Sequence, residues 1–538
     1  MQRSSRLLVL ALALIAASCS GSVSEGDNEQ SKELNSPTSL GPASSTTTEV
    51  PDGLAFVDDA RTLRISVPSM VFVAPHLVDE TDPVSVLITD LLTDGLTERD
   101  SESGFAVPGL ADSWEVSDDR LTWTFVLGDR VFGDDAPITA VDVVASLDRV
   151  ASLGLSSLSG PNLWPIEGWD AASSTESSVS GIVAVDARTV EITLTEPFEP
   201  LPEILAGVSF GVYPAALGDI GSLPMSSSIR FLPTELWEDG FRMTGEPAAG
   251  EISAIEILVD PQGTLIAAGE TDLAIGVDPD QPLGDLRGST IQRSADAFFA
   301  MNAQLAPFDD VMIRQAIVHA VDREAIRAEF FADTGLMQGF VPQAVPGGSA
   351  DVCGERCALD VDQARLLVEA SPSRDIAFTI DYFVDEGDDD TEQRMAEQIA
   401  SSLRDVGLVA TARSHRSIDY GRRAANGELG LFRFGSVSTT LSAEADLGAM
   451  FHTAGRDNLS GTSIEQFDEF IAAARLETNP VVRASIYRDA ERLLFTEAVA
   501  LPLAEFRHHV AFTDALEAAG LEPDGSLDLD SIVFARSG

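Results

Sequence analysis

Positively charged residues are scarce in this chain of 538 residues. It has 34 lysines and arginines against 87 aspartates and glutamates, a formal net charge of −53, and Lys32 is its only lysine. A chain this negative repels nucleic-acid phosphates and anionic lipid surfaces, which argues against nucleic-acid binding. Hydrophobic residues make up 44% of the chain. That content is enough for packed cores, and the length predicts two or more lobes.

Several motifs of catalysis and metal binding are missing. The sequence has no Gly-Lys-Ser/Thr phosphate loop and no His-Glu-x-x-His pair. His508 and His509 are adjacent, so on a strand their side chains would face opposite ways. The acidic run at 388–390 lacks the spacing of a calcium loop. We therefore expect no cofactor and no resident metal ion.

Long apolar runs are also absent, and the longest candidate lies at the N-terminus. Arg3 and Arg6 precede an apolar run at residues 7–17, which is too short for a mature membrane-spanning helix but typical of a secretion signal. Small residues and then Cys19 follow, as in the lipobox of bacterial lipoproteins, with Ala16 where leucine is commonest. The alternative is an ordinary signal peptide with an incidental cysteine.

We therefore expect a signal peptide at 1–18 and lipid attachment at Cys19. Residues 19–60 are rich in serine, threonine, glycine and proline and have few large apolar side chains. Such a segment cannot bury a core, so it predicts a flexible tether between the anchor and the folded body.

Only two cysteines remain, Cys353 and Cys357, and they close a short loop. An exported protein meets oxidising conditions, so we expect a disulfide between them. A zinc site is the alternative, but it normally needs four Cys or His ligands, and the chain has no second cysteine pair.

The body alternates strand-like and helix-like patterns. Leu121, Trp123, Phe125 and Leu127 alternate as on a strand, and Thr139 then has the position of a helix N-cap. Longer amphipathic helices are predicted in the second half. They lie at residues 392–406, ended by Gly407, at 463–476, and at 480–494, begun by Pro480. This alternation predicts an α/β protein.

Five segments in order resemble solute-binding protein family 5, the oligopeptide, dipeptide and nickel binding proteins of ABC importers. They are Leu110-Ala-Asp-Ser-Trp114 with its continuation to Arg149, Gly269-Glu-Thr-Asp272, Pro307-Phe-Asp-Asp-Val311 with Ala320-Val-Asp-Arg323, Asp360-Val-Asp-Gln-Ala364, and Asn458-Leu-Ser-Gly461 with Tyr487. Most of these residues are expected to be scaffold. Asp310 and Arg314 would form an ion pair at a helix start, and Asp322 and Arg323 would be surface or capping residues.

The resemblance implies a two-lobed α/β clamshell with a hinge and a discontinuous first lobe. We expect lobe 1 at 61–295 with a C-terminal return at 505–538, and lobe 2 at 296–504. A peptide or peptide-like solute would bind between the lobes, and closure would present it to the permease subunits of an ABC importer. The expected protein is a monomer and not an enzyme. It would act outside the cytoplasm, held to the cell membrane.

The chain departs from the family pattern where ligand contacts are expected. The family often has a Gly-Trp-x-x-Asp-Tyr sequence in the second lobe, and here Gly435 is followed by Ser436, with Thr439 in place of the acidic residue. Asp446 and Glu444 are the two candidates to replace that acid.

We therefore expect ligand contacts from Arg433, Phe434, Ser436 and Asp446. Arg433 would hold a carboxylate and Phe434 would form an apolar wall. The alternative places Arg433 and Phe434 at one solvated and one buried position of a strand.

Other functions remain open from the sequence. Gly207-Val-Ser-Phe-Gly211 matches the nucleophile elbow of serine hydrolases, with Ser209 as the nucleophile and His415, His452, His508 and His509 as available bases. That reading requires a strand, a turn and a helix around Ser209. A nickel or other metal complex, or a sugar, is an alternative ligand.

Overall fold

The computed structural model describes most of the body of the chain. The described residues are 61–69, 82–154, 157–175, 178–216, 231–237, 240–244, 252–278, 284–385, 390–438, 440–532 and 534. The predicted signal peptide, Cys19, the tether and Thr439 lie outside them. No helix within these ranges is both long and apolar enough to cross a bilayer.

Strands occur along the whole described chain. They are β1 (Arg61–Val67), β2 (Thr97–Arg99), β3 (Ala106–Pro108), β4 (Ala111–Val116), β5 (Thr122–Leu127), β6 (Ile182–Ala184), β7 (Thr189–Thr193), β8 (Leu232–Trp237), β9 (Gly240–Thr244), β10 (Ile252–Val259), β11 (Leu273–Ile275), β12 (Arg287–Met301), β13 (Gly335–Leu336), β14 (Phe378–Phe383), β15 (Ala410–His415), β16 (Leu431–Val437) and β17 (Ala500–Phe512).

Helices are interleaved with these strands. They are α1 (Pro83–Leu92), α2 (Ala140–Leu153), α3 (Trp169–Thr175), α4 (Leu201–Leu205), α5 (Thr264–Ala268), α6 (Val311–Ala320), α7 (Arg323–Phe330), α8 (Val361–Ala370), α9 (Thr391–Asp405), α10 (Ser417–Ala425), α11 (Ala449–Phe451), α12 (Glu465–Leu476) and α13 (Pro480–Thr496). A single π-helical turn, Glu444–Gly448, precedes α11.

Local sequence signals explain where these helices begin and end. Thr139 caps α2, and Asp142 accepts hydrogen bonds from the Thr139 backbone nitrogen at 2.8 Å and from its hydroxyl at 2.7 Å. Pro480 opens α13 directly after the cap residue Asn479. Gly407 follows α9 with φ +98°, a conformation that glycine adopts at little cost. The predicted starts and stops are confirmed at these places.

The largest sheet carries most of the strands. Its described part has the order β15-β14-β16-β12-β17-β11-β1-β10-β9-β8, with β13 paired to β17. A separate sheet has the order β4-β5-β7-β6, and β2 pairs with β3. On β5, Trp123, Phe125 and Leu127 are buried while Val126 is 40% exposed, so the predicted alternation is confirmed.

Three large hydrophobic cores pack against these sheets. The first contains buried residues between Ala297 and Ala504, from β12, β14–β17 and their helices. The second lies between Leu96 and Val212 and packs on the four-stranded sheet. The third joins β1, β9–β11 and α1 to the C-terminal segment through Ile532. The third core therefore contains segments from both ends of the described chain, and the first core lies between them in sequence.

Two long strands, β12 and β17, connect the first and third cores. They pair antiparallel, with Arg287 opposite Phe512 at one end and Ala300 opposite Ala500 at the other. Their register shifts twice near the middle, once between Gln292 and Asp296 and again just after Ala297. Such irregularities bend a strand locally, and both lie where the packing passes from one core to the other.

Two arginines of the family-like segments, Arg314 and Arg323, are buried. Arg314 donates to backbone oxygens and pairs with Glu497 at 3.2 Å, while Asp310 caps α6 through the Met312 backbone nitrogen. The predicted Asp310–Arg314 ion pair is therefore wrong. Asp322 caps α7 as expected, but Arg323 is only 5% exposed.

Arg323 holds three separate segments together. Its guanidinium donates to the backbone oxygens of Pro502 at 2.6 Å, Cys357 at 3.1 Å and Met337 at 2.5 Å. Burial lowers the pKa of Arg323 to about 10, so the side chain stays charged at neutral pH. Five N–H donors in a planar group suit this role, because one side chain can then reach carbonyl oxygens of three segments at once.

Candidate functional site

The outer half of β16 meets the segments that connect the cores. Residues from Phe434 to Ser438 are half-buried, whereas Leu431 and Phe432 are fully buried. The Ser438 backbone nitrogen donates to Ser294 of β12 at 2.9 Å. This end of β16 is therefore a surface beside the crossing of β12 and β17.

Phe434 and Ser436 share one face of β16, because side chains alternate along a strand. The Phe434 ring lies 5.3 Å from Phe298 between ring centroids, and Phe298 lies 5.4 Å from Phe340. Ser436 pairs with Asp296 across the ladder, and its side chain hydrogen-bonds to that carboxyl. An apolar wall thus borders a polar position on the same face.

Arg433 points to the opposite face of the strand. Its side chain is 6% exposed, its Nε lies 3.5 Å from Glu392 Oε1, and its guanidinium lies 5.5 Å from the Phe331 ring centroid. Tyr420 donates to the Arg433 backbone oxygen. The structure therefore separates Arg433 from Phe434 and Ser436. The alternative expectation had one of these two residues in solvent and the other buried. In the structure Arg433 is buried and Phe434 is half-buried.

Asp446 lies on the π-helical turn and joins the Phe434–Ser436 face. It is 4% exposed, and burial raises its pKa to about 8, with a hydrogen bond from Ser438 opposing the shift. Its Oδ2 has no hydrogen-bond partner among the described residues. Glu444 is the other candidate to replace the missing acid. It forms an ion pair with Arg475 at 2.6 Å and accepts a hydrogen bond from the Tyr487 hydroxyl at 2.9 Å.

Two further buried carboxyl groups approach Asp446. Asp296 is 5% exposed, and its pKa is raised well above its usual value by burial and then by the nearby charges of Glu505, Asp446 and Glu491. Glu491 is fully buried, and burial raises its pKa to about 7. Its Oε1 accepts from the backbone nitrogens of Phe340 and Val341, whereas its Oε2 has no partner in the described part of the chain.

We call Asp296, Asp446 and Glu491 the acidic cluster. Sequence reasoning missed two of its members, although signals existed. Asp296 is the one charged residue in the apolar half of β12, and Glu491 shares a helical face with Tyr487 and Leu494. A lone acid on a core-facing position is rare unless it is paired.

Arg99 brings a third part of the molecule to the acidic cluster. It lies on β2, and it donates to the Leu441 backbone oxygen at 3.4 Å and to Glu522 Oε2 at 3.2 Å. Leu441 has φ +45°, a left-handed conformation that costs free energy for a leucine and is common at functional sites. Segments from all three cores thus meet beside the acidic cluster.

The second core also touches the first at another edge. Arg120 donates to the Leu476 backbone oxygen at 2.7 Å, and the Glu199 backbone nitrogen donates to Arg475 at 2.9 Å. Arg483 of α13 forms an ion pair with Glu203 of α4. These contacts hold the four-stranded sheet against helices of the first core.

Ser209 does not occupy a nucleophile elbow. It follows α4 on a short 3-10 turn, Val208–Phe210, with no strand before it. Its buried Oγ has no hydrogen-bond partner among the described residues. Packing explains the glycine at position 211, because an added Cβ would overlap Thr93 Oγ1.

The remaining candidate groups take separate places. Cys353 and Cys357 form a disulfide with Cα atoms 5.5 Å apart. His508 contacts the backbone oxygen of Pro523 and His509 that of Asp333, so the two rings diverge as alternation on a strand requires. No group of three or more His, Cys, Asp or Glu side chains in the described ranges is placed to hold a metal ion.

Comparisons with known proteins agree on one family. The model of "bacterial extracellular solute-binding proteins, family 5 Middle" matches residues 106–233 and 248–458. The glutathione-binding protein GsiB of Escherichia coli (strain K12) is 25% identical over 480 residues, which cover 83% of this chain and 89% of the relative. A dipeptide-binding protein of the same strain is 25% identical over 439 residues, covering 74% and 80%.

A solved structure of a binding protein has a similar fold. The periplasmic murein tripeptide binding protein MppA in its unliganded open form superposes with a TM-score of 0.73 at 20% identity. The match covers 88% of this chain and 98% of that one. The predicted two-lobed α/β fold is therefore confirmed.

Proposed function

This chain belongs to family 5 of the bacterial extracellular solute-binding proteins, and we propose on that basis that it captures a peptide or peptide-like solute and delivers it to an ABC importer. The observation that carries the peptide assignment is the long match to relatives named for glutathione and for dipeptides. Members of the family bind solutes outside the cytoplasm, and binding is the activity that this chain shares with them.

We propose that the solute lies against the outer half of β16. Phe434 supplies an apolar wall, Ser436 a polar contact, and Asp446 an acceptor with an unused carboxylate oxygen. Arg433 supports the strand from behind through Glu392 and Phe331 and makes no ligand contact in this scheme. A few polar groups beside an apolar wall are typical of sites that orient a small ligand.

The lobes are proposed to divide at the crossing of β12 and β17. Lobe 2 would span 296–504, and lobe 1 would span 61–295 with the return at 505–538. The first core runs from Ala297 to Ala504, and Asp296 faces Glu505 where the register shifts, which supports a hinge there. Hinge closure lets ligand binding select one arrangement of two lobes.

The protein is proposed to reach the cell surface as a lipoprotein. Cleavage before Cys19 would leave a diacylated N-terminus, and 19–60 would tether a monomeric body near the permease subunits. The order of basic residues, apolar run, small residues and cysteine supports this proposal.

Analysis of co-purified solutes tests the function directly. We expect the full chain, purified without added ligand and then denatured, to release a peptide at close to one molecule per protein. Returning that peptide should raise the melting temperature, because a ligand at 100 times its Kd adds about 2.7 kcal/mol to folding stability. Ser209→Ala should leave this stabilisation unchanged.

Three results would contradict the proposal. If nickel complexes or sugars stabilise the protein and no peptide does, the ligand is a metal complex or a sugar. Ester hydrolysis that disappears in Ser209→Ala would favour an exported hydrolase. Failure of every peptide to bind a folded, ligand-free protein would remove the peptide assignment.

A further inference from the structure

The second core belongs by sequence to the proposed lobe 1, but one of its edges touches lobe 2. The chain enters this core after α1 and leaves it near Val212, whose backbone nitrogen donates to Asp94 at 2.9 Å. At another edge, α4 and neighbouring turns contact the end of α12 and the start of α13. We call this contact the junction, and it consists of Arg120, Glu199 and Glu203 on the second core and Arg475, Leu476 and Arg483 in lobe 2.

Two hydrogen bonds to backbone oxygens fix the junction. The Glu199 backbone nitrogen donates to the Arg475 oxygen at 2.9 Å, and the Arg120 guanidinium donates to the Leu476 oxygen at 2.7 Å. Both oxygens belong to the last turn of α12, where carbonyls have no partner inside the helix. A cation is also favoured at a helix C-terminus. The second core therefore caps a helix of the other lobe.

A buried ion pair lies beside these hydrogen bonds. Arg483 pairs with Glu203, and it also donates to the Glu477 backbone oxygen at 2.5 Å, which fixes its guanidinium within lobe 2. Arg483 is 7% exposed, and burial raises the pKa of Glu203 while the charge of Arg483 opposes that shift. When one partner of such a pair is removed, the other charge stays buried and unpaired. The pair therefore favours contact between the lobes only while both partners are present.

Arg475 connects the junction to the neighbourhood of the proposed ligand site. Its guanidinium lies 5.2 Å from the ring centroid of Trp164 on the second core, and it pairs with Glu444 at 2.6 Å. Glu444 is on the π-helical turn, two residues before Asp446. One side chain thus touches the second core and the turn that carries a proposed ligand contact.

The junction can open without unfolding either side. Glu199 Oε1 and Glu203 Oε2 are buried and accept no hydrogen bond within the described ranges. Water would reach both oxygens if the lobes separated, and this gain would offset part of the free energy that the contacts supply. The helices α4 and α12 keep their own backbone hydrogen bonds in that event. Such a balance is typical of a contact that breaks and reforms.

We propose that the junction is a latch, which holds the second core against lobe 2 before any solute binds and must open before the lobes can separate. The inference takes the division into lobes from the proposed function and adds a contact that acts without ligand. None of the latch residues is among the proposed ligand contacts. Solute entry would then depend on how often the pair between Glu203 and Arg483 breaks.

Amide hydrogen exchange on the ligand-free full chain measures how often the latch opens. The Glu199 N–H is a direct reporter, because its acceptor, the Arg475 oxygen, lies across the junction. The Ala206 N–H is the internal reference, since it donates to the Pro202 oxygen at 3.2 Å at the end of α4. Mass spectrometry with fragmentation that resolves single residues gives both rates. Where reclosing is fast, each rate is proportional to the open population.

Variants on both sides of the junction test the ion pair. Glu203→Gln and Arg483→Met should each accelerate exchange at Glu199 by at least about tenfold and leave Ala206 unchanged, because the remaining partner loses its counter-charge. The double variant should exceed the faster single variant by no more than about twofold, since both changes remove one contact. Glu203→Gln keeps the shape of the side chain and therefore the fold. Asp489→Asn, which removes an exposed charge from the same helix as Arg483, should exchange as the wild type.

Two results would overturn the latch. Exchange at Glu199 that stays within about twofold of the wild type in both single variants would show that the pair does not hold the lobes together. Equal acceleration at Ala206 would show that α4 unfolds locally while the lobes stay in contact. Neither result concerns peptide capture, which the co-purified solute tests. Conversely, a protein that releases no peptide would remove the proposed solute class and leave the exchange result standing.

Discussion

Replacing the buried Asp446 by asparagine should change how folding stability depends on pH. The ordinary pKa of an aspartate is 3.8, and burial raises that of Asp446 to about 8. The folded state therefore holds a proton that the unfolded chain releases. The stability linked to this group is fully present below about pH 4 and is lost as the pH rises towards 8.

The magnitude follows from the linkage relation. Each pH unit inside this window is worth about 1.4 kcal/mol for a group protonated only in the folded state. The pKa of Glu491 is raised to about 7 and that of Asp296 is raised well above its usual value, so these two carboxyls share part of the effect. For Asp446 we therefore expect a difference in slope between wild type and Asp446→Asn on the order of 1 kcal/mol per pH unit between pH 5 and 7.

Denaturant unfolding of the ligand-free full chain, followed by tryptophan fluorescence at pH 5, 6, 7 and 8, measures this slope. The wild type should lose stability relative to Asp446→Asn over this range, with denaturant dependence unchanged. Asp489→Asn is the control, because that carboxyl is 56% exposed. Parallel pH profiles for the wild type and Asp446→Asn would refute the reasoning, since Asp446 would then ionise in the folded protein as it does in the unfolded chain.

Three further predictions concern the first core. Arg323→Met should lower the free energy of unfolding by about 3–5 kcal/mol, because it removes three buried hydrogen bonds from a charged donor; Arg365→Met, at an exposed ion pair, should cost under about 1 kcal/mol in the same denaturation assay. Phe340→Ala should cost about 3–5 kcal/mol, because its ring is buried between Phe298, Phe451 and Phe495; a loss below about 1 kcal/mol would contradict this packing. Cys353→Ala should lower stability by about 2 kcal/mol under oxidising conditions only, as expected for a short closed loop, and a reductant should abolish the difference.

Local structure was largely predictable from the sequence. Thr139 and Pro480 begin helices and Gly407 ends one, because capping and backbone freedom depend on residues within a few positions. The alternation on β5 likewise reports which face is buried. The family-like segments predicted the two-lobed fold, since their order along the chain reflects one shared topology.

The arrangement of the residues proposed for the ligand site was predictable only in part. Phe434, Ser436 and Asp446 do lie on one side of the first core, but Arg433 does not, because consecutive strand residues face opposite ways and both faces of β16 are covered. Alternation alone cannot identify which face carries the ligand. That choice depends on the helices packed on each side.

The sequence by itself determined the acidity, the family and many of the helices and strands, while the export signal stays a prediction. Each of these depends on composition or on neighbours close in the chain. Only the tertiary structure decided that Arg323 is buried, that Glu444 pairs with Arg475, and that the charges of Asp296, Asp446 and Glu491 act on one another. Those contacts join residues far apart in the sequence, and the physical character of a charged side chain depends on whether folding gives it water, a partner or neither.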